Sequence, residues 1–239
     1  MNLLKLSLNL GEEWFDRYRL ALCRVRDVTL VDDESIADAV ITDSDVSLTN
    51  GPILKIPGHA GIPAMPWRYR PSIQEMKQRL NAGKLGEPGL LRVHRWKSDA
   101  NLLADLDLAM WFFSAEPKTV YTLGRPGYLQ VHLGFACGGM ALMIHATKLV
   151  GCVYESVSLI GSRGAAYADD HRNVNLKLTE NGCAGIIVRE DETALVSMLT
   201  DFVGAIREPR LFLCDKGDYD RAGKVRERVM QSVAEEVEI

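Results

Sequence analysis

The chain has 239 residues, with 28 Lys and Arg against 32 Asp and Glu for a formal net charge of −4, and 47% of it is hydrophobic. That composition excludes intrinsic disorder and suits one large domain or two small ones with a real core. It offers no basic stripe for a phosphate backbone, and the longest apolar stretch, Leu133 to Ile144, is too short for a bilayer and broken by Gly134, Gly138 and Gly139. Neither nucleic acid nor a membrane is an expected partner, and without a signal peptide's basic start and cleavage site the expected location is cytoplasmic.

Leu3 to Leu10 reads as a strand, Glu12 to Arg26 as a helix and Val28 to Val31 as a second strand, a βαβ-like opening. The helix rests on Trp14, Phe15, Tyr18, Leu22 and Val25, whose steps of three and four draw one stripe. Short β-type runs follow at Ala39 to Thr42, Ile53 to Ile56 and Pro63 to Trp67, with Gly and Pro between them. Pro71 opens a second helix with Ile73, Met76 and Leu80 at helical spacing, and Gly83 ends it. The expected domains are therefore 1–66 and 67–239.

Leu90 to Trp96 reads as a strand, and Asn101 to Phe113 as a helix stopped by Pro117. Seven β runs follow between Thr119 and Arg189, and their short turns predict a largely antiparallel sheet. Two helices close the chain, Glu192 to Arg207 and Asp218 to Val237, the second with Val225, Val229, Val233 and Val237 at steps of four. Five widely spaced cysteines with no CxxC pair predict no disulfide framework or zinc knuckle, only reduced and mostly buried thiols.

Several stretches resemble the Gfo/Idh/MocA family. They are Trp67-Arg68-Tyr69-Arg70-Pro71, Asn81 to Pro88 as a G-x-[IL]-G turn, Asp107 to Phe113 with Glu116-Pro117, Gly161-Ser162-Arg163-Gly164, and Phe202 to Ile206 as an F-x-x-A-I helix. The resemblance implies a fold of α/β plus α+β class. A Rossmann-like domain, shortened here, precedes a domain with a large, mainly antiparallel open sheet flanked by helices. It also implies transfer of hydride between NAD(P) and a sugar or cyclitol, and association of subunits through the open sheet.

The residues depart from that activity at three places. The first strand-to-helix turn reads Asn9-Leu10-Gly11-Glu12-Glu13-Trp14, with one glycine of the G-x-G-x-x-G fingerprint and two carboxylates where a pyrophosphate would lie. Asp32 and Asp33 follow the second strand about where a ribose-binding acid would stand, so Gly11, Asp32 and Asp33 are the cofactor-binding candidates. Where the family has E-K-P the chain reads Leu54-Lys55-Ile56-Pro57, which makes Lys55 the one catalytic candidate, a residue out of register. The positions of the family's catalytic His and preceding Asp are Ala104 and Ala100. Asp99, Asp105 and Asp107 lie nearby, read as a helix cap and as a solvated or paired face. The expectation is a degenerate oxidoreductase relative that binds a small molecule or assembles, with no cofactor. The alternative is an active NAD(P)-dependent enzyme with an atypical loop.

Trp67, Arg68, Arg70, Trp96 and Lys97 are the candidate residues for a polar or anionic small molecule, with Trp67 to Arg70 read as a strand. His132 and His145 flank Cys137-Gly138-Gly139, a turn expected to bring the imidazoles together on adjacent strands. Asp169-Asp170-His171-Arg172 reads as a polar connection, and no metal site is expected. The apolar character of both faces of Met140 to Leu149 predicts self-association as a homodimer or larger oligomer, through an outer face that includes Met143 and His145.

Overall fold

The computed structural model describes residues 3–43, 52–57, 59, 61–96, 101–147, 154–169, 174–179, 182–187, 190–208 and 212–235. In chain order its elements are β1 (Leu4–Asn9), α1 (Glu12–Leu22), β2 (Val28–Leu30), β3 (Ala39–Thr42), β4 (Ile53–Lys55), β5 (Ile62–Pro63), α2 (Pro71–Asn81), β6 (Pro88–Trp96) and α3 (Leu102–Phe113). There follow β7 (Thr119–Arg125), β8 (Tyr128–Gly134), β9 (Met140–Ala146), β10 (Tyr154–Gly161), β11 (Ala165–Asp169), β12 (Val174–Thr179), β13 (Gly182–Ile187), α4 (Glu190–Arg207), α5 (Lys216–Gln231) and β14 (Val233–Glu235). These form two compact units, Met1–Pro71 with Glu190–Asp220, and Ser72–Arg189 with Arg221–Ile239. The sequence places a boundary at 66–67. The structure divides the chain at Pro71 and also returns α4 to the first unit.

The first unit holds a five-stranded sheet in the order β2-β1-β3-β4-β5. β1 runs parallel to β2 and β3, while β4 and β5 are antiparallel additions. In β1, Leu4 and Leu6 turn inward and Lys5 outward, the period-two pattern of a strand with one covered face. Tyr18, Ala21 and Leu22 bury the inner stripe of α1, but Phe15, expected in that stripe, is 39% exposed. α4 packs on α1 and buries an apolar stripe of Ala194, Leu195, Met198, Leu199, Phe202 and Val203.

The stretch Trp67 to Arg70 is not a strand: Pro66 to Tyr69 form a 3-10 turn. Pro66 at its start has a φ already suited to a helical turn. The turn buries Arg68, whose Nη1 donates to Asp218 Oδ2 at 2.7 Å and to the Leu213 carbonyl at 3.0 Å. The Tyr69 hydroxyl donates to Asp201 at 2.6 Å.

The second unit holds a seven-stranded sheet in the order β11-β10-β6-β9-β8-β7-β14. It is antiparallel as expected except where β6 meets β9 and β7 meets β14. Its inner face is apolar, with Leu91, Val93, Val131, Leu133, Ala141, Met143, Val157 and Leu159 all buried. Every residue of α3 except Trp111 is buried, in keeping with a helix apolar on all sides but for Asp105 and Asp107. The Asn101 side chain caps its start by accepting from the Ala104 amide, and Ser114 ends it at φ +50°. The G-x-[IL]-G and G-x-x-G motifs meet in this unit. Ser162 and Arg163 donate their amides to the Glu87 and Leu85 carbonyls at 2.9 and 3.0 Å, and a Cβ on Gly86, at φ +70°, would strike the Ser162 side chain.

Four further expectations are corrected. The last helix does not run to Val237: α5 ends at Gln231, and Val233–Glu235 join the edge of β7 as a parallel strand. An open sheet edge offers those residues a hydrogen-bonded alternative that a four-residue repeat cannot reveal. His132 and His145 do not come together, because β8 and β9 pair His132 with Leu142 and Leu129 with His145, which puts the imidazoles on opposite faces. The same register turns Met143 and His145 inward, so the outer face carries Met140, Leu142 and Ile144 instead. Among the described cysteines Cys214 is buried, but Cys23 and Cys137 are exposed.

Candidate functional site

In parallel α/β sheets ligands bind beyond the carboxyl ends of the strands, where helix amino termini collect. In the first unit that place is the turn from β1 to α1, with Gly11 as the N-cap of α1 and Glu12 and Glu13 in its first turn. The Gly11 amide donates to Asp43 Oδ2 at 2.6 Å, and Asp43, just past the carboxyl end of β3, donates its own amide to the Asn9 carbonyl at 3.1 Å. A carboxylate of the chain thus takes the donor that a phosphate would use, with two more carboxylates on the same helix end.

The other cofactor candidates lie outside that turn. The Asp33 carboxylate accepts from the Ser35 amide at 2.8 Å and caps a short 3-10 turn, and those Ser35 hydrogen bonds hold its pKa below the usual value. Asp32 beside it is exposed. Lys55 is exposed and pairs with Val40 near the amino end of β3. Because β4 is antiparallel, Lys55 sits at the end of the sheet away from the carboxyl ends of β1 and β3.

Of the small-molecule candidates, Trp67, Arg68 and Arg70 belong to the first unit and Trp96 to the second. Arg68 is engaged with Asp218, and Arg70 Nε donates to Asp191 at 2.8 Å. Trp96 stands on the outer sheet face with its ring centroid 5.2 Å from that of Tyr154. Lys97, Asp99, Ala100 and Asp170 to Arg172 lie outside the described residues. Ala104 is buried on α3. No group of three His, Cys, Asp or Glu suited to a metal occurs among the described residues.

Among the described residues there is a buried polar constellation that reading the sequence did not assemble. Arg95 on β6, Asp105 on α3, His145 on β9 and Glu155 on β10 are all buried under the inner sheet face, with Asp105 0% exposed. The Arg95 guanidinium donates to Asp105 through Nη2 at 2.8 Å and Nε at 3.2 Å, and to Glu155 through Nη1 at 2.7 Å. His145 Nε2 lies 2.8 Å from Asp105 Oδ2. Burial alone would raise the Asp105 pKa, but the guanidinium and the imidazole hydrogen bond outweigh it and hold the pKa at about 2. An ionised carboxylate can only accept, so Nε2 carries the proton and, in the neutral ring, Nδ1 is the acceptor.

The residues read as a solvated or paired face are thus both fully buried, and Asp105 is paired. The signal for this cluster was present: each of β6, β9 and β10 has one charged or polar residue in its inward apolar set, and α3 has two carboxylates in an otherwise apolar sequence.

No family model matches the sequence, and no curated protein matches it. Solved structures do match it. A scyllo-inositol dehydrogenase of Lactobacillus casei with bound NAD(H) and scyllo-inositol aligns with a TM-score of 0.76 at 13% identity, covering 98% of this chain and 97% of that one. A myo-inositol dehydrogenase of Corynebacterium glutamicum gives 0.76 at 13%, covering 97% and 96%. An oxidoreductase of Agrobacterium radiobacter in complex with NAD+, L-tartaric acid and magnesium gives 0.73 at 13%, covering 96% of each. A Rossmann-like unit followed by an open, mainly antiparallel sheet, matched over nearly the whole of these chains, is the fold of the Gfo/Idh/MocA oxidoreductases.

Proposed function

We propose that this chain has given up dinucleotide-dependent hydride transfer and uses an oxidoreductase fold for small-molecule binding or assembly. The observation that carries the reading is the Asp43 carboxylate on the Gly11 amide, with Glu12 and Glu13 beside it. These acids satisfy the positive end of α1 and repel a pyrophosphate. Two further facts support it: Ala104 can hold no proton where the family resemblance expects a base, and Lys55 is at the far end of its sheet.

A ligand that binds the folded state alone must raise its stability, by about 2.7 kcal/mol at a hundred times its Kd. Millimolar NAD(H) and NADP(H) are expected to leave the melting temperature unchanged; a saturable rise overturns the reading. Such a rise would favour an NAD(P)-dependent oxidoreductase acting on a sugar or cyclitol, a second reading supported by the likeness to a structure holding NAD(H) and scyllo-inositol.

Assembly, in this proposal, joins the outer face of the seven-stranded sheet to a second copy of the chain. Tyr121, Met140 and Tyr167 on that face are 54%, 48% and 55% exposed, and His94 Nε2 is a buried nitrogen with no hydrogen-bond partner among the described residues. Covering the face buries the aromatic and Met surface and offers His94 a partner. Light scattering is expected to give at least a dimer with about 1,000 Å² or more buried in total. Leu142→Asp is expected to yield monomer, and a monomeric wild type overturns this arm.

A further inference from the structure

We infer that a cleft beside His145, within the second unit, binds a compact hydroxylated molecule with an apolar body. The cleft has a volume of about 750 Å³ and is lined by His145, Leu102, Leu129, Met230 and Val233 together with the β7–β8 turn. Four of these side chains are apolar and come from α3, β8, α5 and β14, so an apolar ring entering the cleft is walled by four separate elements.

The chemistry at the polar end follows from the buried cluster. Asp105, anchored by Arg95, accepts a hydrogen bond from His145 Nε2–H and fixes the plane of the imidazole. His145 Nδ1 is bonded to no described residue, and the ring, 4% exposed, lines the cleft. A neutral imidazole held this way presents a lone pair, which calls for an O–H donor on the ligand. Arg125 and Tyr128 of the turn, together with Arg95, Asp105 and Glu155 behind the ring, are the other charged or titratable groups around it. The inference goes beyond loss of the dinucleotide: it holds whether or not the first unit takes a cofactor, and its test uses none.

The full chain, labelled with ¹⁵N at its five histidines, is titrated with cyclohexanol and with methoxycyclohexane, which has the same ring but no donor. The His145 imidazole signals, assigned with His145→Gln, are expected to move saturably with cyclohexanol and to stay in place with the ether. Met230 is 56% exposed, so Met230→Trp can narrow the cleft without touching the core, and it is expected to weaken the response about tenfold. Absence of a saturable shift, an equal response to the ether, a response to cyclohexanecarboxylate alone, or an unchanged response in Met230→Trp overturns the inference. A negative result here leaves the dinucleotide test untouched, and the reverse is equally true.

Discussion

Of the helices that carry carboxylates in their first turn, α1 and α3 are governed by different physics at that end. Glu12 and Glu13 in the first turn of α1 are exposed, and Asp43 reaches the same helix end from the surface of the sheet. Asp105 in the first turn of α3 is 0% exposed and bonded to Arg95 and His145. At α1, water screens each charge, so the acids act on what approaches the helix more than on the fold. At α3 a carboxylate without its partners would be an uncompensated charge in the core. The lesson is that a carboxylate in the first turn of a helix is a surface field in the first case and a structural tie in the second.

The comparison is broken most severely by Asp105→Ala, which leaves Arg95 without its main partner and His145 without its acceptor. A loss of about 3–5 kcal/mol is expected in urea denaturation, and a loss under 1 kcal/mol would show that the cluster is not a tie. Acid sharpens it next. The folded pKa of Asp105, about 2, lies below the ordinary aspartate value of 3.8, so the stability it contributes is present above pH 3.8 and is lost as the pH falls towards 2. Acid titration of the wild type should show that step, about 2 kcal/mol deep, and Asp105→Asn should not. The smallest effect belongs to the surface: Asp43→Ala removes one acceptor from the Gly11 amide and should cost about 1 kcal/mol, a change that added salt leaves small.

How much was legible depends on the distance over which each feature is decided. The strands β1 and β3 and the helices α1 and α3 are local patterns, and their alternation or three-to-four spacing marks them within a residue or a few. β14 was not legible, because Val225, Val229 and Val233 continue a helical repeat while the edge that captures Val233 lies on β7, more than a hundred residues earlier. The histidines failed for a finer reason: the β8–β9 ladder is centred on Cys137, with Gly134 opposite Met140, and an odd offset sends His132 and His145 to opposite faces. The buried cluster joins residues 10, 40 and 60 positions apart, so each charge could be seen as out of place in its apolar run, but the partners could not be named from any one run.

The position of β6 has a consequence for how fast the second unit can form. β7, β8 and β9 are a meander in which each strand meets the next across a short turn, and such pairings close quickly. β6 sits between β9 and β10, so Leu90 must find Met140 and Ile160, fifty and seventy residues further along the chain. Loop-closure entropy must be met before those contacts give any return, so the meander assembles first and insertion of β6 limits the rate, on the order of milliseconds to seconds. Until then the inner edge of β9 stands open as a template for another chain, and crowding during refolding is most harmful in that interval.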